Sequence, residues 1–129
     1  MLARAVSLGS RTARRARQLS TLVIAEHDNA ALSAGTRSAV TAAAALPGDT
    51  TVLVAGHGAG LAGVASAAAA VEGVANVLVL DDAALEHGLA ENLCAAVKEV
   101  AATDAYTHVV ACSSNFGKNW VREEDAAYY

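Results

Sequence analysis

The sequence predicts an α/β fold: a Rossmann-like, doubly wound parallel sheet of about four strands alternating with helices, incomplete at the C-terminus. Four runs, Thr21–Ala25, Thr50–Ala55, Ala75–Leu80 and Tyr106–Cys112, are apolar or β-branched at successive positions, as strands buried on both faces are. Segments of helical period separate them. Each run also ends in a polar or glycine cluster (Glu26–Asp28, Gly56–Gly60, Asp81–Asp82 and Ser113–Asn115), and the carboxyl ends of strands are where such sheets carry function.

Taken in order, the chain begins with a basic leader. Arg4, Arg11, Arg14, Arg15 and Arg17 are five of the nine basic residues, and the first acid is Glu26. Residues 1–19, rich in Arg, Ser and Ala, have the composition of a mitochondrial or chloroplast transit peptide, disordered or helical and outside the fold. A disordered basic arm is the plainer alternative. Cleavage is expected near Gln18 to Ser20. From Ser20 onward four basic residues face 13 acids, a net charge of −9, and such a surface repels nucleic acid.

The first strand, Thr21–Ala25, is followed by a polar turn over Asp28–Leu32, and Ser33 caps a helix to about Ala45. Leu46-Pro47-Gly48-Asp49 stops that helix. The second strand leads through Gly56-His57-Gly58-Ala59-Gly60 into a helix carrying Leu61, Val64, Ala68 and Val71, which ends at Gly73. After the third strand, Asp81 and Asp82 close the turn. A helix from about Leu89 to Ala102 turns Leu89, Leu93, Val97 and Val100 to one side, and the fourth strand ends at Ser113-Ser114-Asn115, which caps a last helix.

Composition bounds the rest. At 129 residues and 54% hydrophobic, the chain holds one domain with a real core, and it has no apolar run of the roughly 18 residues that span a membrane. Few aromatics and abundant alanine favour thin, closely packed helices. Cys94 and Cys112 have no CxxC or metal-ligand spacing and read as reduced, buried thiols.

Gly58-Ala59-Gly60-Leu61-Ala62-Gly63 matches the dinucleotide pattern GxGxxG, with Asp81 at the end of the next strand. The turn before it is longer than the fingerprint needs, and a whole βα unit precedes it. A small nicotinamide oxidoreductase using Gly58, Gly60 and Gly63 is therefore the alternative reading. His27 beside Glu26 could act as a general base but reads better as a loop residue with a local hydrogen bond. Asp81 and Asp82 could hold a metal but read better as a capping turn. Cys112 has no basic neighbour to activate it.

Five blocks fall in one family's order: Ser20 through His27, Leu53 through Gly56, Gly73 through Val79, Glu86 through Leu93, and Tyr106 through Val109 followed by Phe116-Gly117-Lys118-Asn119. Together they resemble the N-terminal domain of the electron transfer flavoprotein alpha subunit. The resemblance implies a heterodimer with a beta subunit in the mitochondrial matrix, carrying electrons from acyl-CoA and related dehydrogenases to a membrane quinone oxidoreductase in fatty-acid and amino-acid oxidation. It implies FAD held mainly by a separate C-terminal domain, AMP in the beta subunit, and a scaffold role for this domain, without a catalytic site of its own. On this resemblance the glycine loop is a strand-to-helix turn.

The family pattern covers residues 20–119, a partial N-terminal domain, and residues 120–129 form a divergent tail. No catalytic, cofactor-binding or metal-binding residue is assigned, because no position remains onto which an FAD contact can be carried. The tail reads as the terminus of a truncated or misread gene. The winding expected of such a sheet places the strands in the order third, second, first, fourth, with Thr107–Cys112 an exposed apolar edge and Val110 an exposed position on it.

Overall fold

The computed structural model describes residues 4–8, 19–87, 90–104, 106–114 and 118, of which 4–8 are described as backbone. Its elements are β1 (Arg4–Leu8), β2 (Ser20–Ile24), α1 (Ala34–Ala44), β3 (Asp49–Gly56), α2 (Leu61–Ala69), β4 (Asn76–Asp81), a 3-10 turn (Ala83–Leu85), α3 (Ala90–Asp104) and β5 (His108–Ala111). The expected last helix falls outside the described residues. The sheet order is β1-β4-β3-β2-β5. The last four strands are parallel, in the predicted order, with β2 between β3 and β5.

Two features depart from the sequence reading. Arg4–Leu8, inside the leader expected to be disordered or helical, is an antiparallel strand on the outer edge of β4. The last strand is shorter than Tyr106–Cys112, because Thr107 serves as a splice instead. Its hydroxyl donates to the Ser20 carbonyl at 2.7 Å and accepts from the Ser20 N–H at 3.0 Å, anchoring β5 to the start of β2.

The doubly apolar strands sort their side chains by size. Val23, Ala25, Val52, Val54 and Val77 face α1 and α2, whose Ala39, Val40, Ala43, Val64, Ala65 and Ala68 complete one core layer. Leu22, Ile24, Leu53, Leu78 and Leu80 face α3, with Leu93, Ala96, Val97 and Val100. Alanine side chains project little, so two helices lie close on short valines; one helix spread over several strands needs leucines to reach it. Each fully buried Leu or Val contributes about 1.5–3 kcal/mol.

Residues Ser33 and Thr36 tie the first helix to the first parallel strand. Ser33 accepts from the Thr36 N–H at 3.2 Å as the helix cap. The Thr36 hydroxyl, fully buried, accepts from the Glu26 N–H at 2.8 Å and donates to the Glu26 carbonyl at 3.2 Å. Glu26 is thereby held at the carboxyl end of β2, where the winding of the sheet reverses between β3 and β5.

Candidate functional site

The polar clusters named from sequence converge at the carboxyl edge of the sheet, and the structure spends most of their hydrogen-bonding capacity on one another. His27 links β2 to β3. Its Nε2 lies 2.8 Å from the Ala55 carbonyl and its Nδ1 accepts from the Asn29 N–H at 3.0 Å, so the ring carries its proton on Nε2. With both nitrogens engaged, His27 is the structural loop residue anticipated and has no free lone pair for a general base.

Asp28 folds the turn that comes next. Its Oδ1 accepts from the N–H groups of Ala31 at 2.7 Å and Ala30 at 2.9 Å, and these bonds, Ala31 first, hold its carboxyl below the usual carboxylate range. Asn29 takes the left-handed conformation, φ 67°, as the turn requires. The turn then lies over the glycine-rich loop. A side-chain carbon at Gly60 would overlap the Asn29 carbonyl, and one at Gly56 would meet Leu61 at 2.8 Å, the His27 ring at 3.0 Å and the Asn29 side chain at 3.1 Å.

That packing decides the GxGxxG match. In a dinucleotide site the second glycine leaves room for the pyrophosphate and the third lets the helix pack closely on the strand. Here the space at Gly60 belongs to Asn29, and Gly63 faces open space. Asp81, in the ribose-binding place, lies 2.9 Å from His57 Nδ1 and also accepts the Gly58 N–H at 3.4 Å. The loop does not fit a nicotinamide dinucleotide in the way its spacing promised. Gly58, at φ 107°, is needed for the turn itself.

Asp82 does cap the 3-10 turn at the end of β4, accepting the Ala84 N–H at 2.8 Å with Oδ1. Among the described residues, no three His, Cys, Asp or Glu side chains gather as a metal-ligand set, and no helix is long and apolar enough to cross a membrane.

The pair that sequence reasoning missed is Cys112 with Glu26. The thiol donates to Glu26 Oε2 at 2.8 Å across the β2–β5 boundary, and lies 3.5 Å from Ser114 Oγ. Gly35, in the first turn of α1, packs against it so closely that a side-chain carbon there would sit 3.1 Å from Cys112 Cβ. Burial first, then the Glu26 carboxylate, pushes the thiol above its ordinary range, the reverse of an activated nucleophile. The crevice in which a doubly wound sheet usually takes a ligand is bridged by this bond. Ser113 is exposed beside it, and Asn115 lies outside the described residues.

Comparison with known proteins agrees with this region of the chain. The family described as electron transfer flavoprotein domain matches residues 21–123. The electron transfer flavoprotein subunit alpha of Pseudomonas aeruginosa is 50% identical over 100 residues, 78% of this chain and 31% of that protein. The mitochondrial alpha subunits of Oryza sativa subsp. indica and Dictyostelium discoideum are 38% and 39% identical, over 80% and 78% of this chain and 30% and 29% of their own lengths. The chain thus spans less than a third of the curated relatives it matches.

Proposed function

Because the chain belongs to the electron transfer flavoprotein family, in the line of its alpha subunits, we propose that it serves an electron carrier as a scaffold rather than as a catalyst. In this reading the β2–β5 sheet packs against a beta subunit and supports a flavin held elsewhere in the complex. The carrier takes electrons from acyl-CoA and related dehydrogenases and passes them to a membrane quinone oxidoreductase. AMP belongs to the beta partner.

One observation carries the scaffold role. The polar groups at the carboxyl edge of the sheet are bonded across it, His27 to Ala55, Asp81 to His57 and Cys112 to Glu26, and so hold strands together where a catalyst would present them to substrate. The mitochondrial matrix is the proposed location, supported by the arginine-rich leader and by the mitochondrial relatives from rice, Arabidopsis and Dictyostelium.

Co-expression with a tagged beta subunit tests the role. The chain is expected to co-purify with beta and, purified alone, to be colourless after desalting. Failure to associate would remove the scaffold reading, and stoichiometric flavin on the isolated chain would show that this domain holds the cofactor itself. For location, residues 1–30 fused to a reporter are expected to reach mitochondria. A cytosolic reporter, or one indifferent to replacing the five arginines with Gln, would count against it.

A further inference from the structure

The leader strand lies outside the part of the chain that the family accounts for, since the match begins at residue 21. β1 runs antiparallel to β4 from Arg4 opposite Asp81 to Leu8 opposite Val77. The phase of the β4 ladder is set at its far end, where Gly56 stands opposite Asp81 and the Asp82 N–H donates to the Gly56 carbonyl at 3.0 Å. Along a strand the N–H and C=O of one residue point to the same side and alternate with those of the next. Leu78 and Leu80 therefore turn theirs to β3, while Val77 and Val79 turn theirs outward. Leu8 stands opposite Val77 and Val6 opposite Val79, which makes these the hydrogen-bonded pairs of the added ladder.

The connection is short enough to be made within one chain. Leu8 ends beside Val77, at the end of the sheet where Ser20 begins β2 opposite Asp49. Crossing from β1 over β4 and β3 to β2 takes three strand spacings, about 14 Å, and residues 9–19 can reach up to about 36 Å.

We propose that residues 4–8 are a displaceable cap on the edge of β4. While they are paired, the outward N–H and C=O groups of Val77 and Val79 are closed to other extended segments, and the leader is held in the folded protein. Released, they open a strand-accepting edge whose resident occupant is the chain's own leader. If the leader also targets the protein, which rests on the proposed location, its folded and its presented states exclude each other. Folding then competes with recognition of the leader.

Amide hydrogen exchange on the full chain tests the cap independently of targeting and of any partner. Val77 and Val79 are expected to be protected to a degree that does not change with protein concentration. Val6→Pro removes the N–H of a bonded pair and should speed their exchange on the order of tenfold or more, leaving Leu78 and Leu80, bonded to β3, unchanged. If Val6→Pro does not fold, the unsubstituted chain still decides. Unprotected Val77 and Val79 would overturn the proposal, as would protection that grows with concentration, because a second copy would then be the cap. Unchanged exchange in a folded Val6→Pro chain would overturn it too.

Discussion

The two edges of the sheet are built differently. At one edge β4 is buried along most of its length between β3 and the antiparallel β1, with Leu78 and Leu80 in the leucine core. At the other, β5 pairs only with β2 over four positions, has no outer neighbour among the described residues, and leaves Val109 43% exposed. A strand edge can be covered by another strand or merely pinned by side chains. β5 is pinned at its start by Thr107 on Ser20 and just past its end by Cys112 on Glu26. Cover removes the unpaired backbone groups from reach; pinning fixes the strand's position and leaves them open.

Truncation to alanine on the two edges gives the largest contrast. Leu80→Ala empties a site only 2% exposed and is expected to cost about 2–5 kcal/mol. Val110→Ala, where the side chain is partly buried, is expected to cost about 1 kcal/mol or less. Urea unfolding of both variants measures this, and equal costs would mean that β5 is as well covered as β4.

Lysine substitution on β5 sharpens the comparison and corrects the sequence reading, which took Val110 as the exposed position. Alternation turns Val110 inward, against the valine and alanine core with Cys112, and leaves Val109 outward. Val109→Lys is expected to change stability by no more than about 0.5 kcal/mol while suppressing concentration-dependent association, read by light scattering. Val110→Lys should cost about 1–3 kcal/mol. Association unaffected by Val109→Lys would show that this edge is not the route.

The thiol pin predicts a smaller, pH-dependent effect. The fold favours the neutral Cys112 thiol, so its contribution is fully present below the unfolded thiol pKa and is lost as pH rises through the raised folded value. Alkylation at about pH 8.5, mapped by mass spectrometry, is expected to be slower at Cys112 than in the unfolded chain, and faster in Glu26→Gln. Equal rates would mean that the bond to Glu26 does not hold in solution.

The smallest effect is expected at the turn between the edges. The Asp28 carboxyl is held low, so what it adds is present above its unfolded pKa and is lost as pH falls through the folded value. Protection of the Ala30 and Ala31 amides, taken relative to their intrinsic exchange rate at each pH, should fall in that acid range and in Asp28→Ala at neutral pH. No change in Asp28→Ala would place the support of the turn elsewhere.

Much of this was legible in the sequence because it is local or periodic. Runs of Val, Ile, Leu and Thr buried on both faces, the Ser33 cap, the stop at Pro47-Gly48 and the helical spacing of Leu93, Val97 and Val100 each lie within one or two turns of chain. Together they set the number, order and direction of the parallel strands, since successive βα units wind only a few ways. What only the tertiary structure decided lies between residues far apart in the chain. Asn29 fills the approach to the glycine loop, Glu26 and Cys112 meet from positions 86 apart, and the leader finds the edge of β4. None of these has a spacing or composition that marks it, because hydrogen bonds and steric contact depend on which surfaces the finished sheet brings within about 3 Å, and that is set only once every strand has its register.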